Sequence, residues 1–141
     1  MKIEKTAFKN LENFDPRSCI NGRIARSQRI ISKVFRKHIK PFGITSSQLS
    51  ILFVLSKRGE TSQNEIGNIL YLEKSTVSRN KRRMVSQGWI ENTGLTLTIT
   101  EEGLSLVDEI IPEWKKAMVE IKEKLRKDGE KGLETIITNL T

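Results

Sequence analysis

The chain has 141 residues, of which 36% are hydrophobic and 30% are charged, a composition typical of one soluble globular domain. It contains no apolar run of about 18 residues, which excludes a membrane span, and its charged N-terminus lacks the apolar core of a signal peptide. A single Cys and a single His exclude an intramolecular disulfide and a structural zinc site. The sequence therefore predicts a cytoplasmic protein without a metal or cofactor.

Positive charge is concentrated in residues 1–100. That part carries 18 Lys and Arg against 7 Asp and Glu, whereas residues 101–141 carry 7 against 10. With a net charge of +8, the imbalance favours a polyanionic partner for the first part of the chain. General basicity that keeps a protein soluble is the alternative.

The first part of the chain predicts an arm and a long helix. Residues 1–16 end at the turn sequence "FDP" and are predicted to form a loosely structured arm. Residues 17–40 contain eight basic residues and no acidic one, and their apolar residues recur at helical spacing. Pro41 and Gly43 end this helix.

Three shorter helices are predicted next. Thr45 begins a capping box, Thr-Ser-Ser-Gln, ahead of an apolar helix that Gly59 ends. Ser62 caps the second helix, whose buried side is formed by Ile66, Ile69 and Leu70. After a tight turn, residues 73–87 form the third helix.

The segment "WIENTGLTLTIT" alternates in polarity and predicts a hairpin joined by "NTG", with Leu95, Leu97 and Ile99 on one face. A helix begins at Thr100, is kinked by Pro112 and ends near Lys127, before a short last helix. The predicted fold class is mainly α with a small β-hairpin. A winged helix-turn-helix over residues 41–99 is flanked by N- and C-terminal helices.

The third short helix, residues 73–87, has arginines and small hydroxyls on one side. At about 100° per residue, Val77, Met84 and Val85 mark the buried side. The opposite side carries Ser75, Arg79, Arg82 and Ser86, with Arg83 beside them. Arginine can bind guanine O6 and N7 in the major groove, and short hydroxyls allow close approach. A solvated charged face would include acidic residues, and a membrane-surface helix would include bulky apolar ones. Double-stranded DNA is therefore the predicted partner.

Three segments resemble the MarR family of transcriptional regulators: "TSSQLSILFVLSKRGETSQNEIGNIL", "EKSTVSRNKRRMVSQGWI" and "LTITEEG". The resemblance covers about residues 20–127 and implies a homodimer that joins through helices 17–40 and 100–141 and binds a pseudo-palindromic operator. In many members a small aromatic or anionic ligand, or oxidation of a cysteine, releases the DNA. Together with the helical wheel, the resemblance implies these DNA-contacting residues: Ser62, Gln63, Ser75, Thr76, Ser78, Arg79, Arg82 and Arg83. Thr45 and Ser46 are weaker candidates.

The wing departs from the family pattern. Family members typically carry a longer wing loop with an Arg that enters the minor groove, whereas no basic residue occurs here between Gly88 and Ile99. Lys81 stands where the family usually has an apolar residue. We expect its stem to lie along the edge of the core, and we do not expect it to read bases.

Two further sites are predicted from apolar residues. A dimer seam would use an apolar stripe on the last helix and residues of the first: Ile20, Ile24, Leu133, Ile136, Ile137 and Leu140. Aromatic residues and the single histidine could line an effector pocket, with plain core packing as the alternative: Phe35, His38, Phe42, Phe53 and Trp114. Cys19 is predicted to be inert, with a redox-sensing cysteine as the alternative.

These features predict a dimeric, sequence-specific DNA-binding regulator that acts as a repressor. The alternative is a winged-helix module that binds a protein and has lost sequence-specific DNA binding. An enzyme is not favoured, because the sequence shows no nucleophile–base pair, phosphate-binding glycine loop or metal cluster.

Overall fold

Between residues 20 and 99, four α-helices and a β-hairpin occur in the order predicted from the sequence. The structure, a computed structural model, describes residues 1–141 except for the side chain of Thr6. The helices are α1 (Lys9–Glu12), α2 (Ile20–Ile39), α3 (Ser46–Arg58), α4 (Gln63–Leu70), α5 (Lys74–Ser86) and α6 (Glu101–Leu140). The strands are β1 (Thr61–Ser62), β2 (Ile90–Thr93) and β3 (Thr96–Ile99). Among the described residues, no helix is both long and apolar enough to cross a membrane.

The chain divides into two compact units, residues 1–33 and residues 34–141. In the first unit, the segment predicted to be a loosely structured arm contains short helical turns: Lys5–Ala7, α1 and Pro16–Ser18. Local hydrogen bonds explain the last of these, because the Asp15 carboxylate accepts from the backbone N–H of Arg17 at 2.9 Å. Helix α2 starts at Ile20, after this turn.

The second unit is built around α3. Thr45 and Gln48 form the predicted capping box, and Gly59 ends the helix with φ 77°. The core of this unit combines α3 with α4, α5, the strands and α6, and its most deeply buried side chains are Ile51, Leu52, Leu55, Ile66, Val77, Met84, Ile90, Leu97 and Ile110. Burial of these apolar surfaces is the main force that holds the helix-turn-helix against α6.

The sheet has three antiparallel strands, in the order β1-β3-β2. Strand β1 was missed by the sequence analysis, and it pairs Ser62 with Thr96. Thr93 pairs with Thr96, so the turn consists of Gly94 and Leu95, and Gly94 adopts the φ of 79° that a type II′ turn needs at its first position. The prediction that Leu95 shares a strand face with Leu97 and Ile99 was wrong, because Leu95 lies in this turn and is 92% exposed.

The turn between α4 and α5 is tight. Tyr71 adopts left-handed angles (φ 54°, ψ 42°), and the backbone N–H of Leu72 donates to the carbonyl of Gly67 at 3.0 Å. A Cβ on Gly67 would lie 3.2 Å from the Leu72 carbonyl, so a small residue is favoured there. The predicted burial of Ile69 was wrong: it is 41% exposed, because an eight-residue helix buries only a narrow arc around Ile66.

Helix α6 begins with Thr100 as its cap and continues through Pro112. The backbone angles at Pro112 are helical, and Pro112 and Asp108 are both exposed, so water can bind the Asp108 carbonyl that lacks an N–H partner. The helical angles are interrupted instead at Arg126 (φ 60°, ψ −178°), which separates the last part of the helix close to the predicted position.

Gly103, in the first turn of α6, lies against the end of the helix-turn-helix. A Cβ on this residue would overlap the Trp89 carbonyl oxygen and approach Ile99 Cγ1 to 2.7 Å. The absence of a side chain at Gly103 therefore allows α6 to pack closely on this region.

Candidate nucleic-acid interface

Helix α5 presents its arginines on the side opposite the core. Val77 and Met84 are buried, whereas Arg79, Arg82 and Arg83 are exposed. This arrangement follows from the seven-residue separation of Val77 and Met84, which is close to two helical turns. The prediction that Val85 is buried was wrong, since it is 41% exposed.

The hydroxyl residues of α5 lie in the same region. Ser75 is exposed, and Thr76 and Ser78 are half-buried. A guanidinium nitrogen of Arg79 lies 3.5 Å from Thr76 Oγ1, so the Arg79 side chain extends back toward the start of the helix. The contact is long, which leaves the guanidinium able to bind another acceptor.

Two of the predicted contact residues lie at the start of α4. Ser62 Oγ accepts from the backbone N–H of Glu65 at 3.1 Å and caps the helix, and both Ser62 and Gln63 are half-buried. The Gln63 side-chain Nε2 is buried and has no hydrogen-bond partner in the part of the chain that the structure describes. This donor is therefore unsatisfied within the described part of the chain.

Two concave regions adjoin α5. One, of about 450 Å³, brings Arg82, Arg83 and Gln87 near Thr45 at the start of α3. The other, of about 360 Å³, lies between α4, α5 and the wing. Its lining includes Asn64, Lys81 and Asn92, which the sequence analysis had not assigned to DNA. The helical pattern placed Lys81 near the edge of the core, but no sequence signal brought these three residues together, because they meet only through tertiary contacts.

The wing carries a fixed negative charge on one face. The Glu60 carboxylate accepts hydrogen bonds from the hydroxyls of Thr93, at 3.1 Å, and Thr96. The bonds from Thr96 and then Thr93 lower the pKa of Glu60 below its usual value, so it is ionised at neutral pH. Such a face does not attract a phosphate backbone.

The predicted effector residues are engaged with the rest of the second unit. Phe35, Phe42, Phe53 and Trp114 pack against the core, and the Phe53 and Trp114 rings meet edge to face with centroids 6.0 Å apart. This arrangement agrees with the core-packing alternative. His38 lies between α6 carboxylates, with Nδ1 3.3 Å from Glu113 and Nε2 3.3 Å from Glu120.

Those two carboxylates link α2 to α6. Hydrogen bonds from Lys116 and then His38 lower the pKa of Glu113, and bonds from Lys37 and then His38 lower the pKa of Glu120. The charged forms of both glutamates are therefore favoured in the folded protein.

The residues of the predicted dimer seam are exposed in the single chain. In the first unit these are Ile20 and Ile24, and at the end of α6 they are Leu133, Ile136, Ile137 and Leu140. Ile137 and Leu140 are 62% and 77% exposed. Cys19 is also exposed, and its Sγ accepts from the backbone N–H of Gly22 at 3.4 Å.

Sequence comparison finds known proteins that are similar to the helix-turn-helix region of this chain. Residues 42–94 match the model of the MarR family. The HTH-type transcriptional regulator YwoH of Bacillus subtilis is 38% identical over 69 residues, which span 49% of this chain and 50% of that protein. The aligned segment thus spans about half the length of that relative.

Solved structures share the fold over most of the chain. BpsR of Bordetella bronchiseptica superposes with a TM-score of 0.81 at 15% identity, covering 92% of this chain and 99% of BpsR. A mutant of MarR from E. coli, complexed with operator DNA, gives a TM-score of 0.74 at 20% identity, covering 84% and 91%. These two structures share the overall fold of this chain, and the sequence match to the MarR family model is confined to residues 42–94.

Proposed function

We propose that the protein is a sequence-specific DNA-binding transcriptional regulator that inserts α5 into the major groove. The observation that carries this proposal is the exposed face of α5. Arg79, Arg82 and Arg83 project opposite buried Val77 and Met84. Residues 74–90 contain no acidic side chain that would repel phosphates. An exposed helix of this charge suits the width of the major groove.

The contacts are expected to divide between bases and phosphates. Arg79 is at the centre of the exposed face and is the proposed base reader, with Ser75, Thr76 and Ser78 around it. Arg82 and Arg83 are proposed to bind phosphates, as are Ser62 and Gln63 at the start of α4. The structural neighbour MarR was solved with operator DNA, which supports this use of the fold.

We further propose that the protein acts as a homodimer. Exposed apolar side chains at the start of α2 and at the end of α6 would be buried against a second copy. A two-fold dimer would hold two α5 helices about one DNA turn apart, roughly 34 Å. It would therefore bind a pseudo-palindromic site with two half-sites.

Repression that a small ligand relieves is the proposed mode of action. DNA binding by the structural neighbour BpsR is regulated by 6-hydroxynicotinic acid, a small aromatic anion. In this chain, the residues proposed to bind the effector are His38 and the aromatic side chains of Phe35, Phe42, Phe53 and Trp114. A ligand that separated these packed residues would change the position of α2 relative to α3 and α6 within residues 34–141, and would lower affinity for DNA.

Selection of genomic fragments by the purified protein tests the proposal. Sequencing of the bound fragments should reveal one enriched inverted repeat, and a variant with Arg79→Ala should lose that enrichment. Enrichment of no sequence by the wild-type protein would reject sequence-specific regulation.

A protein-binding module is the second candidate function, and the wing favours it. Between Gly88 and Ile99 the chain has no basic residue, and the wing tip exposes Leu95. If the wing contacts a protein, Leu95→Ser should weaken that complex, and the fragment selection should recover random sequence. The two functions therefore predict opposite results in one experiment.

A further inference from the structure

The wing has no cation of its own, yet the structure places one beside it. A concave region of about 360 Å³ lies between the wing and the helix-turn-helix; we call it the wing groove. Its described lining includes one charged side chain, Lys81 of α5, together with Ser62, Gln63 and Asn64 of α4 and Asn92 and Leu95 of the wing. Lys81 is half-buried and lines the groove, as expected of a lysine whose stem packs along the protein while its charged end stays near solvent.

The wing groove is separated from the negative charge of Glu60. Asn92 pairs with Leu97 and Thr93 pairs with Thr96, and successive side chains of a strand point to opposite faces. Glu60 binds Thr93 and Thr96, so its carboxylate lies on the face opposite Asn92. The side of the wing that faces the groove is therefore neutral, with the positive charge of Lys81 next to it.

Gln63, which lines the groove, also carries an unpaired hydrogen-bond donor. Gln63 Nε2 is buried without a hydrogen-bond partner among the described residues, although buried amide groups are nearly always paired. Asn92 brings a second amide to the same space. Neutral N–H donors beside one ammonium group suit an acceptor that carries a single negative charge.

We propose that the wing groove binds one phosphodiester group of the DNA backbone, with Lys81 as its charge partner and Gln63 and Asn92 as donors. The inference rests on the proposed function and adds a backbone contact that replaces a wing arginine. A phosphodiester carries a single charge, which matches the single ammonium group. The groove adjoins α5, whose arginines would hold the rest of the duplex. The wing groove therefore needs to supply only one further contact to the DNA backbone.

The salt dependence of DNA binding tests the role of Lys81. A labelled duplex carrying the enriched sequence is titrated by fluorescence anisotropy over a range of KCl concentrations. Lys81→Gln should lower affinity and reduce the slope of log K against log salt by about one per protein copy, because one phosphate contact is lost. Asn92→Ala should lower affinity and leave the slope unchanged, since a neutral donor releases no counterion. Lys115→Gln, on the exposed side of α6, is the matched control and should change neither.

Gln63→Leu separates a binding role from a structural one. If the amide is unpaired in the free protein, this variant should keep or raise the melting temperature while it weakens DNA binding. A fall in melting temperature with unchanged affinity would show that the amide serves the fold, and would overturn its part in the groove.

A neutral methylphosphonate at single positions of the duplex locates the contact. At one position in each half-site, the substitution should remove the difference between wild type and Lys81→Gln. A wild-type slope in Lys81→Gln, or a difference that persists at every position, would overturn the inference. If Arg79→Ala still abolishes specific binding in that case, the proposed function stands and only the groove fails. If the wild-type protein enriches no sequence, both fail.

Discussion

Replacement of Arg79 by alanine should damage DNA binding without damaging the fold. The Arg79 side chain is exposed and makes one long contact, 3.5 Å to Thr76, so unfolding free energy should change by less than about 0.5 kcal/mol. On DNA, loss of a two-pronged contact to guanine should cost about 1–3 kcal/mol per half-site. That cost corresponds to a rise in Kd of roughly 5- to 150-fold per half-site.

Anisotropy titrations on two duplexes measure this effect. One duplex carries the enriched sequence and the other a scrambled version, both at the same salt concentration. Arg79→Ala should lose most of the difference in affinity between them, because a base reader contributes to specificity more than to general attraction. Lys115→Ala removes the same charge elsewhere and should preserve the difference. Equal losses on both duplexes would show that Arg79 binds only phosphate, and the assignment of Arg79 as base reader would be wrong.

Three further predictions concern stability and assembly. Gly103→Ala should destabilise the fold by about 1–3 kcal/mol in urea unfolding, because a methyl group at this position has no room against the Trp89 carbonyl and Ile99; unchanged stability would contradict that packing. The pKa values of Glu113 and Glu120 are lowered in the folded state, so their contribution is full above the ordinary value of 4.5 and is lost as pH falls through the lower folded values. Melting temperatures measured against pH should therefore decline below about 4.5, and the decline should be shallower in Glu113→Gln/Glu120→Gln. Ile137→Asp should shift sedimentation toward a monomer, since it places a charge in the proposed seam; an unchanged sedimentation coefficient would place the seam elsewhere.

The elements that were predicted well are those whose sequence pattern is local. The capping box at Thr45 depends on one helix alone, as does the burial of Val77 and Met84, which are seven residues apart. Both predictions were confirmed. Leu95 was misplaced because polar alternation continues through the turn, whereas the pairing of Thr93 with Thr96 sets where the strands end. Strand β1 was missed because it has two residues, which is too short to show a period.

The wing groove could not be predicted from the sequence for a different reason. Gln63, Lys81 and Asn92 lie on three elements, and they meet only because β1 pairs with β3 and brings the wing to the start of α4. The pattern of α5 did indicate that Lys81 lies near the buried edge. What its ammonium group faces depends on tertiary packing, which no single-helix pattern contains.

Protection of guanine N7 from methylation tests most directly whether α5 reads the major groove. Dimethyl sulfate footprinting on the enriched sequence should show guanines protected symmetrically in both half-sites. Arg79→Ala, at a concentration that still saturates the DNA, should expose one guanine in each half-site and leave the others protected. Full reactivity of every guanine under saturating wild-type protein would contradict the account, because α5 would then lie outside the major groove.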